Sequence, residues 1–520
     1  MVRCGSREPV RLIGNPPDMR KALTFLLVVS VVALGPASVA HAADSFTFFG
    51  AGFGHGLGMS QWGAYGLAQQ GWNPDKILAH YYSKTRVAQA DSPPKNLRIG
   101  LAQGQSKLRL EAQAGGVDLL LGDPKTGDAV GTIPSGDTWI IREDNQRFKV
   151  TDASGAVVAT VGGPNTELFV SYPNARVKIP EAFHTYNRGS IELALYSCGA
   201  ACDMRAVLTI TPQEYLYGLG EVPSSWPMQA MKAQAIAART YAFTKAAAGQ
   251  HRSGCDCALY ASSYDQVYAG WDKEGGLDGE RWVQAVDDTD NQTVIYQGQS
   301  IQAFYMSSSG GFTEDNENVW GGTPIEYLRG VCDPGDYTSA NPNATWTVTM
   351  SASEVTRKLG LGIGTVSEFT NVQRGVSGRI ISTTVRGDSG TASISGATLR
   401  SALALPDDRV WINSNRLVTG SIRAKYDNLE CAPGLATSRQ VQVAGGERQK
   451  FEAATIYTSD ATGAHSLSGA LLDFFLSKGG PGGTLGFPTT DLQTLSSGAT
   501  KATFEHGVVR CTAAGACKIV

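Results

Sequence analysis

The stretch Gly220-Glu-Val-Pro-Ser-Ser-Trp-Pro-Met-Gln-Ala-Met-Lys-Ala-Gln-Ala-Ile-Ala-Ala-Arg-Thr-Tyr-Ala-Phe-Thr-Lys-Ala-Ala-Ala-Gly249 divides the chain into two textures. From Pro227 onward it is alanine-rich, opens with a proline at a first helical position and stops at a glycine. It therefore predicts a helix over Pro227 to Ala248. Upstream, from Leu97 to Leu195, short runs such as Arg147-Phe-Lys-Val-Thr151 and Ala156-Val-Val-Ala-Thr-Val161 lie between Gly, Pro and Asp breaks, which is a strand signature. Downstream, strand patterns resume at Gln292-Thr-Val-Ile-Tyr296 and Ile301-Gln-Ala-Phe-Tyr305, and Ala352 to Leu359 reads as a second helix. The expected class is α+β, a β-rich domain with one prominent Ala-rich helix, followed by small β-rich repeats.

With 520 residues, 42% of them apolar, the chain is long enough for two or three units. Its formal charge of −3 and the lack of any charge run give no basic surface for nucleic acid or anionic lipid. Met19-Arg-Lys followed by an apolar run to Leu34 and the small-residue pattern Ala40-His-Ala42 reads as a signal peptide released after Ala42, so a secreted or wall-associated location is expected. Residues 1–18 then read as an upstream start-site extension. Beyond Cys4, eight cysteines remain for an oxidising compartment: Cys198, Cys202, Cys255, Cys257, Cys332, Cys431, Cys511 and Cys517. Cys198 with Cys202 and Cys511 with Cys517 are close enough in sequence to bridge locally, and a bridge between Cys332 and Cys431 would then close a long loop; spacing does not fix the connectivity.

The expected organisation is a leader over 1–42, a main domain over 43–415, a Ser-, Ala-, Pro- and Gly-bearing linker over 416–445 and repeats over 446–520. Within the main domain, 43–88 is an opening Gly/His segment, 95–195 the β-rich part and 196–415 the core. In the C-terminal region Phe451-Glu-Ala-Ala-Thr-Ile-Tyr-Thr458 aligns with Phe504-Glu-His-Gly-Val-Val-Arg-Cys511 about 53 positions later, the mark of tandem units. Leu485-Gly-Phe-Pro488, Asp491 and Phe504-Glu-His-Gly507 resemble the LGFP repeat, which implies cell-wall association through these repeats. A turn-rich β unit without a ligand is the plain alternative.

One carboxylate stands out. Glu221 precedes the alanine helix by about a turn, flanked by Gly220, Pro223 and Trp226. Burial against Trp226 would raise its pKa, and the helix N-terminus would lower it; residue types leave that open. A glycosidase normally needs two carboxylates. One suffices where the sugar's own 6-hydroxyl attacks the anomeric carbon, because the acid that protonates the glycosidic oxygen then takes the hydroxyl proton.

Gly220-Glu-Val-Pro-Ser-Ser-Trp-Pro to Ala242 closely resembles the signature of the SpoIID/LytB family, the sporulation lytic transglycosylase and amidase-enhancer group. Asp265-Gln-Val-Tyr-Ala-Gly270, Ala303-Phe-Tyr-Met-Ser-Ser-Ser-Gly-Gly-Phe-Thr313 with Val319-Trp-Gly-Gly322, and Ser377-Gly-Arg379 with Ser395-Gly-Ala-Thr-Leu-Arg400 follow in the family's order. Gly54-His-Gly-Leu-Gly-Met-Ser-Gln-Trp-Gly-Ala64 with Ile77-Leu-Ala-His-Tyr-Tyr82 also agrees, although in the family this GHG block closes the domain and here it opens it. The departure looks like a circular permutation, tolerable where termini lie close together.

The resemblance implies cleavage of the glycan backbone of peptidoglycan between N-acetylmuramic acid and N-acetylglucosamine, leaving 1,6-anhydromuramyl ends, with Glu221 as catalytic acid. The alternative it carries is a non-catalytic, glycan-binding enhancer of a cell-wall amidase. It implies substrate contacts from His55, Ser60 and Gln61 with Trp62 beneath, and from Trp226, Lys232, Gln234, Arg239, Thr240, Tyr241, Ser307, Ser308 and Ser309. Tyr305 fits core or cleft equally. Gly52, Gly54, Gly56 and Gly58 are expected to allow close backbone approach to a ligand. No nucleotide or redox cofactor motif is present. His251, Cys255 and Cys257 have the types to open a zinc site, with no fourth ligand evident, and a disulfide is the competing reading.

Overall fold

The computed structural model describes residues 44–520; the leader expected over 1–42 lies outside them. With 21% helix and 36% strand spread over many small sheets, the fold is α+β. Two antiparallel sheets occupy the β-rich part. One orders its strands 157–161, 147–151, 138–144, 107–113, 176–179 and 184–186. The other runs 259–260, 97–105, 203–210, 190–196, 168–171, 117–121 and 128–133. Strand alternation places Leu108, Leu110 and Ala112 inward from Lys107–Gln113, as a two-residue period requires.

Both sheets share one hydrophobic core with the helix Met228–Ala248, which Pro227 caps in front and Gly249 ends. The alanines let three other helices, Gln61–Gln69, Pro74–Tyr81 and Gly279–Asp287, approach this helix, so it is buried around most of its circumference. The helix over Ala352–Leu359 has the bounds its sequence predicts.

The opening segment is structurally central. Ser45–Gly50 is the middle strand of a three-stranded sheet, antiparallel to both Trp346–Ser351 and Val410–Ile412. Met59–Ser60 pairs in parallel with Tyr305–Met306. A second lobe forms around Phe46, Phe48, Val355, Val385, Leu399 and Leu403, from this sheet, the sheet 366–395 and the helices Ala352–Leu359 and Gly396–Leu403.

The segment 416–445, read from sequence as a linker, is ordered repeat structure. It holds a helix, Gly420–Asn428, whose Tyr426 stacks on Phe451 at 5.1 Å. The helix Gly469–Ser477 repeats the arrangement, with Phe475 stacked on Phe504 at 4.9 Å. Glu452 accepts from the Leu435 N–H as Glu505 accepts from the Phe487 N–H, and Ala436 bridges Phe451 as Pro488 bridges Phe504. Pro433-Gly-Leu-Ala436 is thus the structural partner of Leu485-Gly-Phe-Pro488. Gly434 and Gly486 both take positive φ, 78° and 70°, and their glutamates pack where a side chain would project. Composition concealed the first copy because three of its four motif residues differ, the glycine alone being shared. The Cys332–Cys431 disulfide, 99 residues apart in sequence, ties that copy to the main domain.

Candidate active site

Glu221 is half-buried where the loop before the alanine helix meets the strand-like segment around Val267. Its Oε1 accepts from the Val267 N–H at 2.6 Å, and Gln61 Nε2 lies 3.3 Å from Oε2. The Tyr305 hydroxyl is beside it and itself accepts from Gln266 Nε2 at 2.9 Å. Burial is the largest influence and raises the carboxyl above its ordinary range, outweighing the three hydrogen bonds, which lower it. The choice that residue types left open therefore falls to desolvation.

Glu221 faces a cavity of about 700 Å³ that His55, Gln61, Tyr241, Tyr305 and Ser307 also line. A further cavity of about 470 Å³, bounded by Pro223, Ser225, Lys273 and Leu277, also touches Glu221. The other carboxylate of the larger cavity, Asp265, is fully engaged. Its oxygens accept from Arg252 Nη1 at 2.6 Å, the Tyr260 N–H at 2.9 Å and the Tyr241 hydroxyl at 2.9 Å, with Lys245 Nζ at 3.6 Å.

His55 is a neutral imidazole. The Leu57 N–H donates to its Nδ1 at 3.0 Å, so the proton sits on Nε2. Burial first, then the charges of Arg400 and Arg379, lower its pKa to about 4. The ring lies 5.1 Å from Trp320, which packs against Phe304 and is 54% exposed.

Several expected contacts lie elsewhere. Ser60, Ser308 and Ser309 are buried in a polar hub: the Ser60 and Ser308 hydroxyls donate to Asp336 at 2.6 and 2.8 Å, and the Ser309 hydroxyl to Asp333 at 2.7 Å. Tyr81 donates to the second oxygen of Asp333 at 2.8 Å. Burial pushes both carboxyls up, and the charge of Asp336 adds to the effect on Asp333. The Ser-Ser-Ser run therefore welds the opening segment to the core, with Ser307 alone reaching the cavity.

On the alanine helix, Lys232 pairs with Asp288 at 2.8 Å, and Arg239 is buried, donating to the carbonyls of Val286 and Gln292 at 3.2 Å each. Thr240 is buried and bonds the Ile236 carbonyl, and Gln234 is buried among the packed helices. These four face away from the cavity because the helix is packed on nearly every side; Tyr241 and, one turn on, Lys245 face it. Trp226 packs on Trp62 at 4.7 Å and clamps the helix Gln61–Gln69 to the Glu221 loop. Gly54 lines the cavity, but the next two glycines of the block approach protein: a side chain at Gly56 would meet Arg379, and one at Gly58 the Phe304 carbonyl.

Of the two readings of Cys255 and Cys257, zinc ligands or a disulfide, the structure carries the disulfide. His251 is exposed and bonded to Asp256 at 2.6 Å. The bridges Cys198–Cys202 and Cys511–Cys517 complete the set. Cys332, Asp427 and Cys431 cluster within ligand reach, but the two sulfurs are bonded to each other.

Sequence reasoning missed Phe53, Lys245, Arg252, Tyr264, Trp320 and Arg400, all of which line the larger cavity. Trp320 and Arg400 stood inside motif blocks already singled out, and that was the available signal.

Compared with known proteins, residues 201–296 match the Stage II sporulation protein (SpoIID) family model and residues 434–483 the LGFP repeat model. The chain is 33% identical over 138 residues to the "Amidase enhancer" of Bacillus subtilis, covering 26% of this chain and 17% of that protein. It is 27% identical over 230 residues to "Stage II sporulation protein D" of Bacillus subtilis, covering 42% and 65% respectively. The protein of that name from Bacillus amyloliquefaciens is 31% identical over 178 residues, covering 32% and 51%. In each case the chain spans less than two thirds of the relative's own length.

Proposed function

We propose that this protein, which carries a SpoIID domain and an LGFP repeat, is a secreted or wall-associated peptidoglycan lytic transglycosylase with Glu221 as its single acid and base. One observation carries the reading. Glu221 is held half-buried with a raised pKa where two cavities meet, and the other carboxylate of the larger one is already bonded to Arg252, Tyr241 and a backbone N–H.

The protonated Glu221 gives its proton to the glycosidic oxygen as the bond from that oxygen to the muramyl anomeric carbon breaks. Its carboxylate then removes the proton of the same sugar's 6-hydroxyl as that oxygen bonds to the anomeric carbon, closing a 1,6-anhydro ring. The proton returns to Glu221 and no water is consumed. Burial favours the acid form at the start, and the Val267 N–H and Gln61 stabilise the carboxylate that forms. Gln61 serves both states, since its amide offers a donor to a carboxylate or an acceptor to an acid. The repeats would retain the enzyme at the wall.

The test is mass spectrometry of peptide-free and intact glycan strands after incubation with the protein and with Glu221→Gln. Anhydromuramyl ends made by the native protein, with turnover at least a hundredfold lower in the variant, support the assignment. Binding without cutting by both proteins would instead favour an amidase enhancer, the reading suggested by the similarity to the Bacillus subtilis protein of that name.

A further inference from the structure

Arg400 projects from the second-lobe helix Gly396–Leu403 and lines two spaces at once: the Glu221 cavity and an adjoining one of about 380 Å³. Phe53 also borders both and is 46% exposed. The adjoining space is walled by the small or apolar residues Ala397, Ser401, Ala404 and Leu405. The second lobe has no part in the proton transfers at Glu221, and apart from its strand Ser45–Gly50 it lies beyond residue 296, where the SpoIID match ends.

The charge pattern of the larger cavity is uneven. Lys245 and Arg252 are both committed to Asp265. Arg379, behind the GHG loop, pairs with Asp407 at 2.9 Å and approaches Asp408 at 3.6 Å. Among the described residues, no carboxylate lies within ion-pair reach of Arg400 and no carbonyl accepts from it; Asp408, the acidic group whose titration it influences, is taken by Arg379. A half-buried guanidinium with its donors free at the junction of two spaces is a fork-shaped site for a planar anion. The exposed faces of Phe53 and Trp320 beside it suit the apolar faces of sugar rings.

We propose that the second lobe forms a distal glycan subsite in which Arg400 binds a carboxylate of the strand and Phe53 packs under the adjoining sugar. Resting on the glycan reading above, the ligand is a sugar bearing an ether-linked carboxylate, as a muramyl residue with a free lactyl group does. A neutral N-acetylglucosamine polymer lacks this group. The strand would then extend from beside Glu221 across the Phe53 and Arg400 ridge, so several sugars are held on one side of the scissile bond.

The test uses the full chain with Glu221→Gln to prevent turnover, and compares binding of peptide-free muramyl strands with the same strands capped as lactyl methylamides. The parent is expected to bind uncapped strands about tenfold more tightly. Adding Arg400→Gln should bring the uncapped affinity down to the capped one, and Arg400→Lys should restore part of the preference; an unchanged melting temperature checks that the variants fold. A preference that survives Arg400→Gln, or a parent that binds both strands equally, overturns the subsite while leaving the glycan reading intact. A parent that binds neither strand removes both.

Discussion

Gln61 Nε2 lies 3.3 Å from Glu221 Oε2, although the two residues are 160 positions apart. The opening segment of the chain therefore supplies a direct partner of the proposed catalytic carboxyl. Gln61 lowers the Glu221 pKa that burial raises. Replacing Gln61 with Leu should raise it further, so the alkaline limb of the kcat/KM profile, where the required acid form is lost, moves to higher pH. A pH–rate series on soluble glycan strands checks the shift, and an unmoved limb would show that Gln61 does not touch the titration.

The buried hub at Asp336 predicts a large loss of stability. Its carboxylate accepts from the Ser60 and Ser308 hydroxyls and from the N–H groups of Ser309 and Gly310, at 2.6 to 3.0 Å. Asp336→Ala strands those donors in the interior and should cost about 3–5 kcal/mol, read from urea unfolding. Loss below about 1 kcal/mol would mean water replaces the carboxylate.

His55 predicts how stability falls with acid. Its folded pKa, about 4, lies below the ordinary 6.5, so the unfolded chain binds the proton more readily. The contribution is complete above about pH 6.5 and is lost as pH drops through about 4. Allowing for solvent screening, it is worth about 1–2 kcal/mol. His55→Gln should flatten the stability profile over that window, with little change in its slope above pH 7.

Removing residues 417–520 together with Cys332→Ser should leave cleavage of soluble glycan within about twofold and sharply reduce retention on isolated walls. Lys425 and Asp491 pair across the two repeat copies at 2.9 Å, so the copies should be removed together. Sedimentation with wall sacculi measures the effect, and equal retention by the shortened chain would exclude the repeats as the anchor.

The sequence alone determined the α+β class, the helix after Glu221, the helix at Ala352–Leu359 and the tandem period near 53, and it singled out Glu221 as the candidate acid. These are local properties, carried by periodicity, capping residues and repeated motifs along the chain. Tertiary structure decided which polar residues reach the cavity. Lys232, Gln234, Arg239 and Thr240 look like a polar helix face, but an alanine surface lets helices pack on almost every side and turns them inward or away. Ser308 and Ser309 look like sugar ligands, but Asp333 and Asp336, more than twenty residues later, fold back to take their hydroxyls. Arg400 reaches the site because the second lobe is built on Ser45–Gly50, a pairing set by registers of some 300 residues, and Trp320 because it packs on His55 and Phe304. Hydrogen-bond partners and burial depend on contacts made across such distances, and those contacts leave no spacing in the sequence to read.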